Sequence, residues 1–346
     1  MKPLLAIFGG VVVLCGGCSA PLSREACQAV RERALLALKR GTDYQTLPSV
    51  RAQAVEALQR VAPNEGLPWI RTALHDAHPG VRFAACVALG TLRDTVSQPT
   101  LEKCVSDPDP NVRAAAIFAL HRLGAPRHSE RLAEFLLDHD DPVVRRNAAM
   151  LLGRLSEPGA IPLLARAMMS DDEALRLQAL ESMDLLGGQE ARRQLKFTAY
   201  SGEGAQQTFA VLALAEARDH SLTGLFQARL EHALHLETKL AAAKALGHLG
   251  SDAGYKVARK ALDFDRPARR DESDPPEIKT MRVRQLASHA LGAIGKIEAL
   301  PGLRERMNHD EDPRVQLAAA MAIVQLTGGI EPGEMPFRQS VAGTGE

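Results

Sequence analysis

Any chemistry this chain performs would have to start from its eleven histidines, five cysteines and scattered carboxylates. Glu231, His232, His235 and Glu237 form the densest group. Two imidazoles three positions apart on a helix share a face, so His232 and His235 with a carboxylate could hold a metal and run metal-dependent chemistry. Zinc usually takes a third protein ligand, and no spacing supplies one. The other reading is a solvated helix face. His139 stands among Asp138, Asp140 and Asp141, and His309 precedes Asp310, but these acids lie where helix caps belong. There is no G-x-S-x-G, no Walker loop and no G-x-G-x-x-G. The residues therefore predict no catalytic set and no cofactor. Beyond Cys15 and Cys18 the cysteines are Cys27, Cys86 and Cys104, an odd number for a disulfide framework. Cys86 and Cys104 fall in successive repeats, as neighbours or as two small buried residues.

The elements around these residues follow one pattern. V-R-x-x-A-x-x-A-L-G or a variant starts at Val50, Val81, Val112, Val144, Leu175, Gln206, Thr238, Val283 and Val315. The steps are 31, 31, 32, 31, 31, 32, 45 and 32 residues. A fixed period over most of a chain marks a repeat array. Asp109 and Pro110 read as N-cap and first helical residue, and Gly124 as a stop. Asp141-Pro142 and Asp312-Pro313 repeat the start; Asp172 keeps only the acid, and Pro48 and Pro79 only the proline. Gly187, Gly250 and Gly295 repeat the stop. Another apolar-periodic segment precedes each cap, such as Leu101–Val105 or Ile161–Met168. Each unit is thus helix A, an acidic turn and helix B.

This grammar resembles short HEAT-like repeats of the type found in phycobilisome lyases. The resemblance implies an all-α, right-handed solenoid of about nine helical hairpins across residues 18–327, with helices B lining the concave face. The period is shorter than the usual 40–47 residues of that class. The tetratricopeptide and ankyrin signatures are absent. Deoxyhypusine hydroxylase-like members of this architecture hold two irons with His-Glu dipeptides, and none of the histidines here precedes Glu. Bilin-lyase and DNA-glycosylase roles conflict with the export signal described below. Arg51, Arg82, Arg113, Arg145, Arg176 and Arg284 occupy the second anchor position, with Gln207, Lys239 and Gln316 as exceptions. They form either a basic ladder for an acidic ligand or a structural ladder to the acidic turns.

Counting the anchor residue as position one, positions 1, 5, 8, 9 and 12 face inward, and 3, 7 and 10 face the concave side. Those concave positions carry Phe83, Val87, Phe118, Met150, Leu177, Leu212 and Leu240 in the middle repeats, continued by Leu317 and Met321. An exposed apolar strip would bind a protein or peptide partner. Tight curvature would instead bury it, with Gly90, Gly153, Gly247 and Gly292 permitting close helix approach.

The 45-residue step places an insertion, 263–276, in the A–B turn of repeat 8. Arg266, Arg269, Arg270, Asp271 and Glu272 make it a second candidate contact. Residues 328–346 are Gly/Pro-rich and aperiodic, and read as a disordered tail. At the start, Lys2, the apolar run Leu4–Leu14 and Gly16-Gly17-Cys18 resemble a bacterial lipoprotein signal of residues 1–17. That resemblance implies a lipid on Cys18 and an outer-membrane, periplasm-facing location in the cell envelope; an ordinary signal ending near Ala20 is the alternative. Without residues 1–17 the chain has 41 basic and 42 acidic residues, net −1, which gives nucleic acid no attraction. Three readings follow: a non-catalytic envelope scaffold binding along the concave strip, an assembly or spacer factor acting through 263–276, and a metal enzyme using His232 and His235.

Overall fold

A computed structural model of the chain describes residues 24–126, 128–265 and 275–328. They form helices only, arranged as nine A–B hairpins. The pairs are α1 (Arg24–Gly41) and α2 (Pro48–Val61), α3 (Pro63–Thr72) and α4 (Pro79–Leu92), α5 (Gln98–Cys104) and α6 (Pro110–Arg122). Next come α7 (Glu130–Leu137) and α8 (Pro142–Leu155), α9 (Ile161–Ala167) and α10 (Glu173–Leu185), α11 (Gln189–Ser201) and α12 (Gly204–Glu216). The last are α13 (Thr223–His232) and α14 (Leu236–His248), α15 (Tyr255–Ala261) and α16 (Pro276–Ile294), α17 (Leu300–His309) and α18 (Pro313–Gly328).

Local chemistry starts and stops the B helices where the repeat grammar places them. Asp109 accepts from the amides of Asn111 and Val112, Asp141 from Val143, Asp172 from Leu175 and Asp312 from Arg314. Each removes an unpaired donor from the first turn. In repeat 2 His78 Nδ1 takes this role, 3.1 Å from the Gly80 amide. Gly124, Gly187, Gly250 and Gly295 stop their helices in the left-handed region, φ 86°, 83°, 85° and 76°. Arg93, Ser156 and Arg218 adopt that conformation without being glycine, at φ 54°, 60° and 48°.

The anchor arginines are structural. Arg51 grips Asp76 through two bonds of 2.7 and 2.8 Å, and Arg82 grips Asp107 through two of 2.8 Å. Arg284 reaches Asp310 at 3.0 Å. Arg113, Arg145 and Arg176 donate to carbonyls of the turn before their own helix, those of Asp107, His139 and Ser170. The exceptions make the same backbone bond: Gln207 to Tyr200, Lys239 to Glu231, Gln316 to Asp310. Burial pushes the carboxyl groups of Asp76 and Asp107 up, but the guanidinium and backbone N–H bonds outweigh it and hold both below the usual range. The ladder ties each A–B turn together and leaves no free basic row for an acidic ligand.

The array closes on itself. Successive B helices pack side by side from α2 to α18, and α18 then packs against α1 and α2. Gln285 on α16 donates to Gln53 on α2 at 3.2 Å, across 232 residues of sequence. Nine repeats completing a circle turn by about 40° each, the small constant rotation that sets solenoid curvature. A helices form the outer wall and B helices the wall of a narrow bore. Open solenoids end in repeats with a polar outer face. Here α18 is apolar nearly all round, with Leu317, Met321, Ile323, Val324 and Leu326 all buried. The partner for its far side is the first repeat. A Cβ added to Gly41 would lie 2.8 Å from Leu317 Cδ2 and 2.9 Å from Ala54 Cβ, so the seam is closely packed.

Candidate functional site

The seventh anchor position supplies one residue per repeat to the bore: Glu56, Val87, Phe118, Met150, Glu181, Leu212, Lys244, His289 and Met321. Closure corrects the expected concave groove. Phe118 is 1% exposed, and Val87 and Leu240 are also buried. Phe83, Met150, Leu177 and Leu212 are half-buried against the core. The cause is close helix approach: a Cβ on Gly90 would sit 2.6 Å from Ala119 Cα and 3.1 Å from Phe118 Cε1. Helices α4 and α6 meet almost backbone to backbone, and the phenylalanine fills the space beside them. These residues hold the ring wall and leave no open strip for a folded partner.

The bore opens on the opposite side into a cavity of about 390 Å³, lined by α2, α12, α16 and α18. Its apolar wall includes Leu212, Leu286, Leu317 and Met321; its polar wall includes Gln53, Glu56, Arg60, Thr208, Arg282, Gln285 and His289. Burial raises the Glu56 carboxyl, against the opposing charges of Arg60 and of Arg154 from α8. Glu181 is raised for the same reason, with Gln178 donating to it at 2.7 Å. Burial lowers Lys244, which lies 3.7 Å from Glu216. His289 is pushed down to about 3, by burial first and then by Lys244 and Arg60. Its imidazole is neutral at pH 7.

A second surface lies at the rim formed by the A–B turns of repeats 5 to 7. Met169 is 84% exposed, Phe197 71%, Tyr200 51% and Leu234 93%. Contacts between turns bring them onto one edge. Gln206 bonds Glu173 across repeats 5 and 6. Arg229 on α13 stacks 4.7 Å from the Tyr200 ring, and a Cβ on Gly204 would lie 3.9 Å from His235 Nε2. Exposed large apolar side chains grouped on one edge mark a contact surface. Sequence reasoning missed this group, because Met169 and Leu234 sit in turns and Phe197 and Tyr200 at the end of an A helix, all outside the anchor pattern of the B helices.

His232 and His235 do not share a helix face, contrary to expectation. Helix α13 ends at His232, and Ala233 takes an extended conformation, φ −62°, ψ 140°. Both imidazoles are exposed, with Glu231 3.5 Å from His232. Among the described residues no three His, Cys, Asp or Glu side chains converge as a metal site. Cys86 and Cys104 are neighbours whose thiols interact, and both are buried. Contact with Cys104 and burial push Cys86 well up. Cys18 and the loop residues Arg266, Arg269, Arg270, Asp271 and Glu272 lie outside the described residues, as does the tail beyond Gly328. No described helix is long and apolar enough to cross a membrane.

The sequence profile of the HEAT repeats matches residues 44–121, 98–184, 129–206 and 278–324, together more than half of the chain. Solved structures with a similar fold include the complex of CpcE and CpcF of phycocyanin lyase from Nostoc sp. PCC7120. It is 20% identical with a TM-score of 0.42, over 72% of this chain and 97% of that one. Human deoxyhypusine hydroxylase in complex with glycerol is 21% identical with a TM-score of 0.36, over 87% and 98%. At such identities the likeness is one of helical repeat fold alone. No curated protein matches the chain in sequence.

Proposed function

We propose, for a chain that belongs to the HEAT-repeat family, that it is a non-catalytic protein-binding scaffold whose contact surface is the A–B turn rim. The observation that carries this is the row Met169, Phe197, Tyr200 and Leu234, on two A–B turns and the last turns of helix α11 between them, at high exposure. The next turn along the same rim is that of repeat 8, where α15 ends at Ala261 and α16 begins at Pro276. The 263–276 insertion joins these two helices in sequence, so the charged-loop reading belongs to the same proposal.

The geometry suits attachment at a membrane. Helix α1 runs toward the A–B rim, so its start at Arg24 lies at the opposite rim, roughly 27 Å away at 1.5 Å per residue. A lipid on Cys18, six residues before Arg24, would put the B–A rim against the outer membrane and turn the apolar row outward into the periplasm. Replacing Cys18 with Ser should release the protein from the membrane fraction.

The test is photo-crosslinking from position 234 in intact cells, with position 96 as the control. Val96 is also exposed but lies on the B–A rim. A discrete protein adduct from 234 and none from 96 supports the proposal. Adducts from 96 alone, or from neither in folded and anchored protein, reject it.

A further inference from the structure

Most polar groups lining the bore cavity are already engaged. Gln285 donates to Gln53 and to the Arg314 carbonyl, each at 3.2 Å. Thr208 bonds Thr238 at 2.9 Å, and Arg282 lies 3.6 Å from Glu237. Glu56, Arg60 and His289 are the exceptions: among the described residues none makes a hydrogen bond or ion pair with them. Glu56 and Arg60 stand one turn apart on α2, a spacing that ordinarily closes a pair. Here both side chains line the cavity, and their charges interact without a hydrogen bond between them. His289 lines the cavity from α16 and is otherwise largely buried. An unpaired carboxylate, an unpaired guanidinium and an unpaired imidazole thus converge on one space beside an apolar wall. Polar groups so enclosed ordinarily find partners, and the volume falls within the range of small-molecule sites.

We propose that this cavity binds a small zwitterion with an apolar body, of the free amino-acid or dipeptide kind. Glu56 would accept from its ammonium, Arg60 and His289 would donate to its carboxylate, and Leu212, Leu286, Leu317 and Met321 would cover its hydrocarbon. A carboxylate fits the His289 side because the nearby charges acting on that imidazole, Lys244 and Arg60, are cationic. An ammonium fits Glu56 because that carboxylate is the anion among the unpaired groups. The assignment is independent of the rim surface.

Isothermal titration calorimetry on the full chain with L-leucine and L-leucyl-L-leucine tests this. N-acetyl-L-leucine, which lacks the ammonium, and L-leucinamide, which lacks the carboxylate, are the comparison probes. Saturable binding of at least one zwitterion is expected, weakened about tenfold or more by each blocking group and by Glu56→Gln or Arg60→Gln. Leu234→Ser on the rim should leave it unchanged. Should a bore variant fail to fold, the His289 ring resonances of the unaltered protein must still shift on adding the zwitterion. Three results overturn the proposal: no saturation of either zwitterion by about 10 mM, well above a site of ~1 mM; equal binding of a blocked probe; or binding indifferent to both bore substitutions.

Discussion

Leu317→Ala separates a closed ring from an open array. In an open array the concave side of the last B helix would meet solvent, and such a change would cost within about 0.5 kcal/mol. In the ring Leu317 is 6% exposed and packs beside Gly41 and Ala54 at the seam. Truncating a buried leucine to alanine costs about 2–5 kcal/mol. The lower end applies here, since the side chain already borders the cavity. With an m-value of about 3 kcal/mol per molar, a loss of about 2 kcal/mol moves the urea midpoint down by about 0.7 M. The assay is the fluorescence of Trp69, the single tryptophan, on α3 with Lys39 over its ring at 4.4 Å. In a linear array, a lesion in repeat 9 reaches repeat 2 only through six intervening repeats. In the ring repeat 9 adjoins repeat 1, so the Trp69 midpoint should fall together with the circular-dichroism midpoint. A Trp69 transition that stays in place while the helical signal shifts, or no shift in either, refutes the reasoning.

Acid should weaken the fold through His289. Its folded pKa, about 3, lies below the ordinary unfolded value near 6.5, so the unfolded chain binds the extra proton between these values. Stability is then fully present above pH 6.5 and falls as the pH drops toward 3. By pH 5 the loss is on the order of 2 kcal/mol; a urea midpoint that drops from pH 7 to 5 in the parent and drops less in His289→Asn is the expected result. Arg82→Met should leave the Asp107 carboxylate without its two guanidinium bonds and cost about 2 kcal/mol, with little dependence on added salt; equal stability of the variant at any salt would count against the structural ladder. Ser156→Gly should raise stability by about 1 kcal/mol, because Ser156 sits at φ 60° where a Cβ is strained; a lower denaturation midpoint would contradict that. Leu234→Ser should leave stability within about 0.5 kcal/mol while removing the protein adduct expected from a crosslinker placed at position 200 on the same rim; an undiminished adduct there would show that the rim row is not the contact.

The repeats were legible because their signals are local. Asp109, Asp141, Asp172 and Asp312 cap by reaching two or three residues ahead, and a glycine stop acts on its own backbone. The ladder was half legible: sequence shows an arginine near acidic turns, and only the fold shows Arg82 spanning 25 residues to Asp107. Closure was hidden because it accumulates a small rotation at each of nine interfaces, and no single repeat encodes a circle. One signal was present in α18, PRVQLAAAMAIVQLTG, whose apolar residues surround the helix although it is last in the array. Without closure in view, Phe118 and Leu240 read as groove residues. Glu181, Lys244 and His289 stood at the seventh position of their repeats but escaped notice, since polar residues there read as ordinary solvated surface. The break at Ala233 that parts His232 from His235 has no strong sequence mark, as EHALHLETK passes for one helix.

Ring closure is tested most directly by the distance between the first and last A helices. Spin labels at positions 36 and 305 sit on exposed sites of α1 and α17, away from the seam. Adjacent helices pack about 10 Å apart, so the ring predicts one narrow distance distribution below about 30 Å once label arms of several Å each are added. An open array of nine repeats at that spacing would place the labels on the order of 80 Å apart. A pulsed dipolar measurement giving the long distance, or a broad distribution reaching it, would contradict the closed ring and with it the enclosed cavity.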